Sequence, residues 1–104
     1  MEYTPDNWLI YHIKDDLYKV VGGWSGGYLD SDYWRVNSGI TEIEETDDSY
    51  IVSGSSGSVY ILRKNLESYR HNIAQPTAVL DANGCQLLNM KDILPIFLKK
   101  DVDK

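Results

Sequence analysis

This sequence has little to offer for covalent or metal-based stabilisation. Cys85 is the single cysteine, so no internal disulfide can form, which suits a reducing, cytoplasmic compartment. The two histidines, His12 and His71, lie far apart. With Cys85 isolated too, the three or four closely spaced ligands of a metal site are missing, and neither metal nor other cofactor is expected. Apolar runs are short, Trp8 to Tyr11 being typical, and a membrane-crossing helix needs about 20 residues. Met1 to Asp6 carries acids where a secretory leader carries bases, so no such leader is expected. Bases are scarce as well. Ten Lys and Arg face sixteen Asp and Glu, for a net charge of −6. An acidic chain repels phosphates, which argues against direct binding of nucleic acid.

What is present is an ordinary globular composition. The 104 residues are 42% hydrophobic and 25% charged, which predicts one domain over 1–104 that can bury a core without added staples. Trp8–Ile13 and Leu17–Val21 read as strands joined by a turn at Lys14–Asp16. Four glycines among residues 22–27 interrupt the pattern. Tyr33–Thr46 is extended by composition, with Gly39 marking a bulge or bend. Tyr50–Ser53 and Ser58–Arg63 flank a hairpin loop at Gly54–Gly57. Asn65 followed by Leu66, Tyr69 and Ile73 predicts a helix over 66–74 that Pro76 stops. Asn83-Gly84 predicts a hairpin between Thr77–Leu80 and Cys85–Leu88. A last helix is expected over 93–100, capped by Asp92.

No regular β-α-β alternation appears. The fold class expected is α+β, an antiparallel sheet of about five to seven strands with one or two short helices, near 66–74 and 93–100, packed on one face. The expected core is Leu9, Val20, Val36, Ile51, Ile61, Leu80, Leu88, Ile93 and Phe97.

Two partial motifs suggest chemistry. Gly23-Trp24-Ser25-Gly26-Gly27 matches the G-x-S-x-G nucleophile elbow, but that device needs a helix directly after the serine, and Tyr28 to Asp32 does not open one. Asp30-Ser31-Asp32 begins like a calcium loop and fails where Trp34 and Arg35 replace an oxygen ligand and a glycine. No phosphate-binding glycine loop ending in Lys-Ser or Lys-Thr occurs. The chain is therefore expected not to be an enzyme.

Charge and aromatic placement carry more. Residues 1–62 hold eleven acids and three bases, net −8, whereas residues 63–104 are net +2. Asp30, Asp32, Glu42, Glu44, Glu45, Asp47 and Asp48 form the most acidic window, opposed only by Arg35. Trp24, Tyr28, Tyr33 and Trp34 lie within or beside it. Eight tyrosines and three tryptophans against one phenylalanine favour surfaces that are part apolar and part wet. The function expected is a small acidic protein-binding module. It would be an inhibitor or decoy of a basic, nucleic-acid-handling protein, of the immunity-protein or phage anti-CRISPR and anti-restriction type. Those acids and aromatics would be its partner-binding residues. The alternative is a small-ligand or carbohydrate-binding module that stacks on Trp24, Tyr28 and Trp34. A third is a minimal serine hydrolase at Ser25.

Overall fold

The computed structural model describes residues 1–26 and 32–99. Two long strands, β2 (Asn7–Lys14) and β3 (Leu17–Trp24), form a hairpin whose turn places Asp15 at φ 46°. That left-handed conformation is one that Asp tolerates. Strand β4 (Tyr33–Val36) adds to β3, and β8 (Gln86–Leu88) adds to β2, giving a sheet ordered β4-β3-β2-β8. The second sheet is ordered β1-β7-β6-β5, from β1 (Glu2–Tyr3), β5 (Ile40–Glu45), β6 (Ser49–Gly54) and β7 (Val59–Arg63). Among the described residues, every pairing between these strands is antiparallel except β1 with β7. The protein is thus α+β, with eight strands in two sheets among the described residues rather than one sheet of five to seven.

The reason for the second sheet is local. The extended run from Tyr33 onward breaks at Asn37–Gly39, where Gly39 takes φ 146°. An added Cβ there would sit 2.9 Å from Leu17 Cδ1. The Asn37 N–H donates to Val20 O, and the Val20 N–H donates to Asn37 Oδ1. Asn37 thereby ends the ladder with its own side chain, and the chain crosses to the other sheet as β5.

The first sheet is a middle layer. Trp8, Ile10 and Val20 face the second sheet, together with Ile43, Val52, Tyr60 and Leu62. Leu9, Tyr11 and Val21 face the opposite way, against Ile73 and the half-buried Leu80. A strand covered on both faces reads as a continuous apolar run, and residues 7–11 are all buried. The indole N–H of Trp8 stays satisfied by donating to Arg63 O at 2.8 Å. Of the expected core, Leu9, Val20 and Ile93 are buried, while Val36, Ile51, Ile61, Leu80, Leu88 and Phe97 are half-buried. In β6 and β7 the buried large apolar residues are Tyr50, Val52, Tyr60 and Leu62, one position away from Ile51 and Ile61. When neighbouring residues are all apolar, alternation does not say which set faces inward.

The helices begin elsewhere than sequence suggests. Residues 66–74 contain the end of one short 3-10 turn, Lys64–Leu66, the whole of a second, His71–Ile73, and at Ala74 the first residue of the helix that follows. Helix α1 (Ala74–Ala82) follows, with Pro76 in its first turn. A missing N–H costs nothing there, because the first-turn N–H groups have no partners within the helix. Asn83-Gly84 does not turn a hairpin. Asn83 closes α1 and Gly84 follows at φ 77°, a common way to end a helix. Helix α2 (Met90–Phe97) is capped by Asn89, not Asp92, and Asp92 returns the bond to the Asn89 N–H in a capping box. Pro95 then falls inside α2, on an exposed position. The helix buries Met90 and Ile93. No helix among the described residues is long and apolar enough to cross a membrane.

Candidate functional site

The aromatic residues divide by strand alternation. Trp24 and Tyr33 stand directly opposite one another on β3 and β4. Their rings stack with centroids 5.0 Å apart and planes 2° from parallel. Tyr3 meets Trp24 edge-on at 6.3 Å, and Arg35 lies over the Tyr3 ring at 4.4 Å, close enough for a cation–π contact. The Trp24 indole donates to Thr4 O. Trp24 is therefore half-buried and spoken for, and Tyr33, 54% exposed, covers one of its faces. Tyr28, the third of the expected stacking platforms, lies outside the described residues, as does Asp30.

Trp34 points to the other face of the sheet. Its partner on β3 is Gly23, and the space that Gly23 leaves is filled by the carboxamide of Asn72. Asn72 donates to Asn7 Oδ1 at 2.7 Å, and Asn7 donates to Ser68 O at 3.3 Å. This chain of bonds seats the His71–Ile73 turn, and so the start of α1, against β3. Asn72 is 93% buried, since 7% of it is exposed. Its Oδ1 has no hydrogen-bond partner among the described residues.

A groove results between β4 and α1, with Trp34 at its middle. On one side a cavity of about 520 Å³ is lined by Asp32, Trp34, His71, Asn72 and Gln75. On the other, a cavity of about 220 Å³ is lined by Trp34, Val36, Pro76, Val79 and Leu80, with Gln75 bordering both. Sequence reasoning found Trp34 and Asp32 but missed Asn72, Gln75 and Val79. The one signal was Gly23, whose missing side chain makes room for a partner distant in sequence.

The acids form a second, separate group. Asp32 begins beside β4, and its Oδ1 accepts from the Gly26 N–H at 2.9 Å. Glu42, Glu44, Glu45, Asp47 and Asp48 all belong to the β5–β6 hairpin of the other sheet, and all are exposed. Glu42 and Glu44 share its outer face, opposite Ser53 and Ile51. Glu45 pairs with Lys64 at 2.7 Å, and this bond holds the Lys64 ammonium above its usual pKa. The same ammonium lies 5.1 Å from the Tyr50 ring centre. Glu42 makes only a long contact of 3.9 Å with Lys99. Asp48 accepts a 3.4 Å bond from Thr46 inside the turn. Glu44 and Asp47 have no side-chain partner among the described residues.

Catalytic geometry is sparse. Ser25 is exposed at the end of β3, and its backbone N–H donates to Asp6 Oδ2 at 2.8 Å. Its hydroxyl makes no bond to a histidine among the described residues; His12 instead bonds Asp15 O and stacks on Tyr18 at 4.4 Å. His71 lines the polar cavity of the groove. Among the described residues no three His, Cys, Asp or Glu side chains gather as metal ligands. No protein-family model, curated protein or solved structure matches this chain.

Proposed function

We propose that this protein is a small, non-catalytic, acidic binding module of the cytoplasm. It acts as an inhibitor or decoy for a protein with a basic surface that handles nucleic acid, in the manner of immunity proteins and phage anti-CRISPR or anti-restriction proteins. The observation that carries the reading is the β5–β6 hairpin. Five carboxylates stand exposed within residues 42–48, and two lysines, Lys64 and Lys99, are their only ion-pair partners among the described residues. Like charges held this close repel one another and disfavour folding slightly, and a cationic partner would relieve that repulsion. Their field also steers a basic partner into contact, raising the rate of association more than the lifetime of the complex.

The test begins with a pull-down from the native host, read by mass spectrometry, using the intact protein and a Glu44→Gln, Asp47→Asn, Asp48→Asn variant. These three are chosen because none makes an ion pair within the described residues. A basic nucleic-acid-handling protein should be captured by the first and lost or weakened with the second. Association kinetics on that partner should show a slower on-rate and a flatter dependence on salt for the variant. Unchanged kinetics and unchanged salt dependence would reduce the hairpin to a solvated face and remove the reading.

A further inference from the structure

We propose that the groove between β4 and α1 takes an extended segment of the partner protein as an added strand, one that carries an apolar and a basic side chain two positions apart. The proposal rests on the acidic protein-binding reading above and names a second contact for it.

Among the described residues, the backbone of β4 is open along its edge away from β3. Directly opposite residues in an antiparallel pair alternate between bonded and non-bonded pairs. The Asn37 N–H donates to Val20 O, and Asp6 donates to Gly23 O from the far side of β3. Val20 opposite Asn37 is thus a bonded pair, which makes Gly22–Arg35 and Trp24–Tyr33 bonded as well. The pairs Val21–Val36 and Gly23–Trp34 are non-bonded. Trp34 and Val36 therefore aim their N–H and C=O groups away from β3. β4 ends its sheet, so no strand among the described residues meets those groups. The other sheet treats β5 differently: the chain's own Lys99 N–H donates to Ile43 O and covers that edge.

The side chains of the same two residues line the groove. An added strand would place alternate side chains about 6–7 Å apart along one face. The two cavities lie on either side of Trp34, one toward Asp32 and one toward Val36. The 220 Å³ cavity, walled by Val36, Pro76, Val79 and Leu80, accepts an aliphatic side chain. The 520 Å³ cavity carries the Asp32 carboxylate. A lysine or arginine two positions along meets that carboxylate. Backbone bonds to an edge strand would supply affinity and the alternate pockets would supply selectivity, as in other cases of strand addition.

The test uses the full chain, isotopically labelled for NMR, and a capped octapeptide of two Leu-Thr-Lys-Thr repeats, which puts leucine and lysine two positions apart on one face. Amide shifts are expected at Trp34, Val36, Gln75 and Val79. Replacing the lysines by glutamates should weaken binding about tenfold or more. N-methylating alternate backbone amides on the pairing edge should abolish it, because the ladder bonds are lost. Val79→Lys, at a surface position, should weaken binding about tenfold while the rest of the spectrum is unchanged. A peptide that leaves the four groove residues unshifted, or that binds equally well when N-methylated, overturns the proposal. If the shifts appear at residues 42–48 instead, the groove inference fails while the acidic binding reading stands. If the hairpin variant Glu44→Gln, Asp47→Asn, Asp48→Asn keeps full partner binding while the groove shifts persist, the hairpin reading fails and the groove inference stands.

Discussion

The carboxamide of Asn72 lies flat against Gly23, so that a Cβ added to the glycine would sit 2.6 Å from Asn72 Oδ1 and 2.7 Å from both Cγ and Nδ2. The contact joins β3 to the turn that starts α1, and it fixes the depth of the groove beside Trp34. Gly23→Ala should destabilise the fold by about 1–3 kcal/mol, because Asn72 is itself tied to Asn7 and cannot simply swing away. Chemical denaturation should show a lower midpoint with an unchanged slope. Adding Asn72→Ala to Gly23→Ala should cost less than the two single changes together, since one removes what the other clashes with.

Tyr11 ties the middle sheet to α1. It is buried, and its hydroxyl donates to Asp81 Oδ1 at 3.0 Å. Burial, then the bond to Asp81 and the Asp81 charge, push its pKa from 10.0 up to about 12. The folded state therefore holds this proton more tightly than the unfolded chain does. Stability from this group is present below pH 10 and should be lost as pH rises toward 12. Tyr50 and Tyr60 are shifted upward chiefly by burial too, and add to the same trend. Denaturation followed across that range should show the decline, and Tyr11→Phe should make it shallower while costing about 1 kcal/mol at neutral pH.

Phe97, the single phenylalanine, is half-buried and meets Tyr18 edge-on at 5.5 Å. A core phenylalanine cut to alanine costs about 3–5 kcal/mol, and partial burial lowers that figure to about 2 kcal/mol here. Thermal unfolding of Phe97→Ala measures it. A loss well below about 1 kcal/mol would mean that Phe97 does not dock α2.

Ser25→Ala should leave partner binding unchanged, since the hydroxyl bonds to neither histidine among the described residues. Loss of biological activity with the circular dichroism spectrum intact would revive the hydrolase reading.

Glu45→Gln separates stability from binding within the acidic hairpin. It removes the negative charge that pairs with Lys64 and should cost a little stability. Glu44→Gln has no such pair to lose and should leave stability the same or slightly higher. Melting curves of the two single variants decide the point.

Several local features were legible in the residues themselves. The β2–β3 hairpin, the Gly54–Gly57 loop and the bend at Gly39 follow from turn chemistry, which acts over a few bonds. Glu42 and Glu44 share a face because strand alternation requires it. Asn83-Gly84 misled because the same pair suits a hairpin turn and a helix end, and only the packing of Leu80 on the middle sheet selects the second.

Composition and charge patterning by themselves determined that this chain is an acidic α+β protein with its carboxylates gathered in one window. Those properties depend on residue type and near neighbours alone. Tertiary structure decided the rest. Asn37 and Gly39 send the chain from one sheet to the other, so the acids of residues 42–48 stand on a different sheet from Tyr33 and Trp34. Tyr60 rather than Ile61 faces the core because the two sheets and β1 meet there. The groove at Trp34 exists because Asn72, distant in sequence, needs the space left by Gly23. Such contacts bring together residues far apart in the chain, and no local period or spacing encodes which ones will meet.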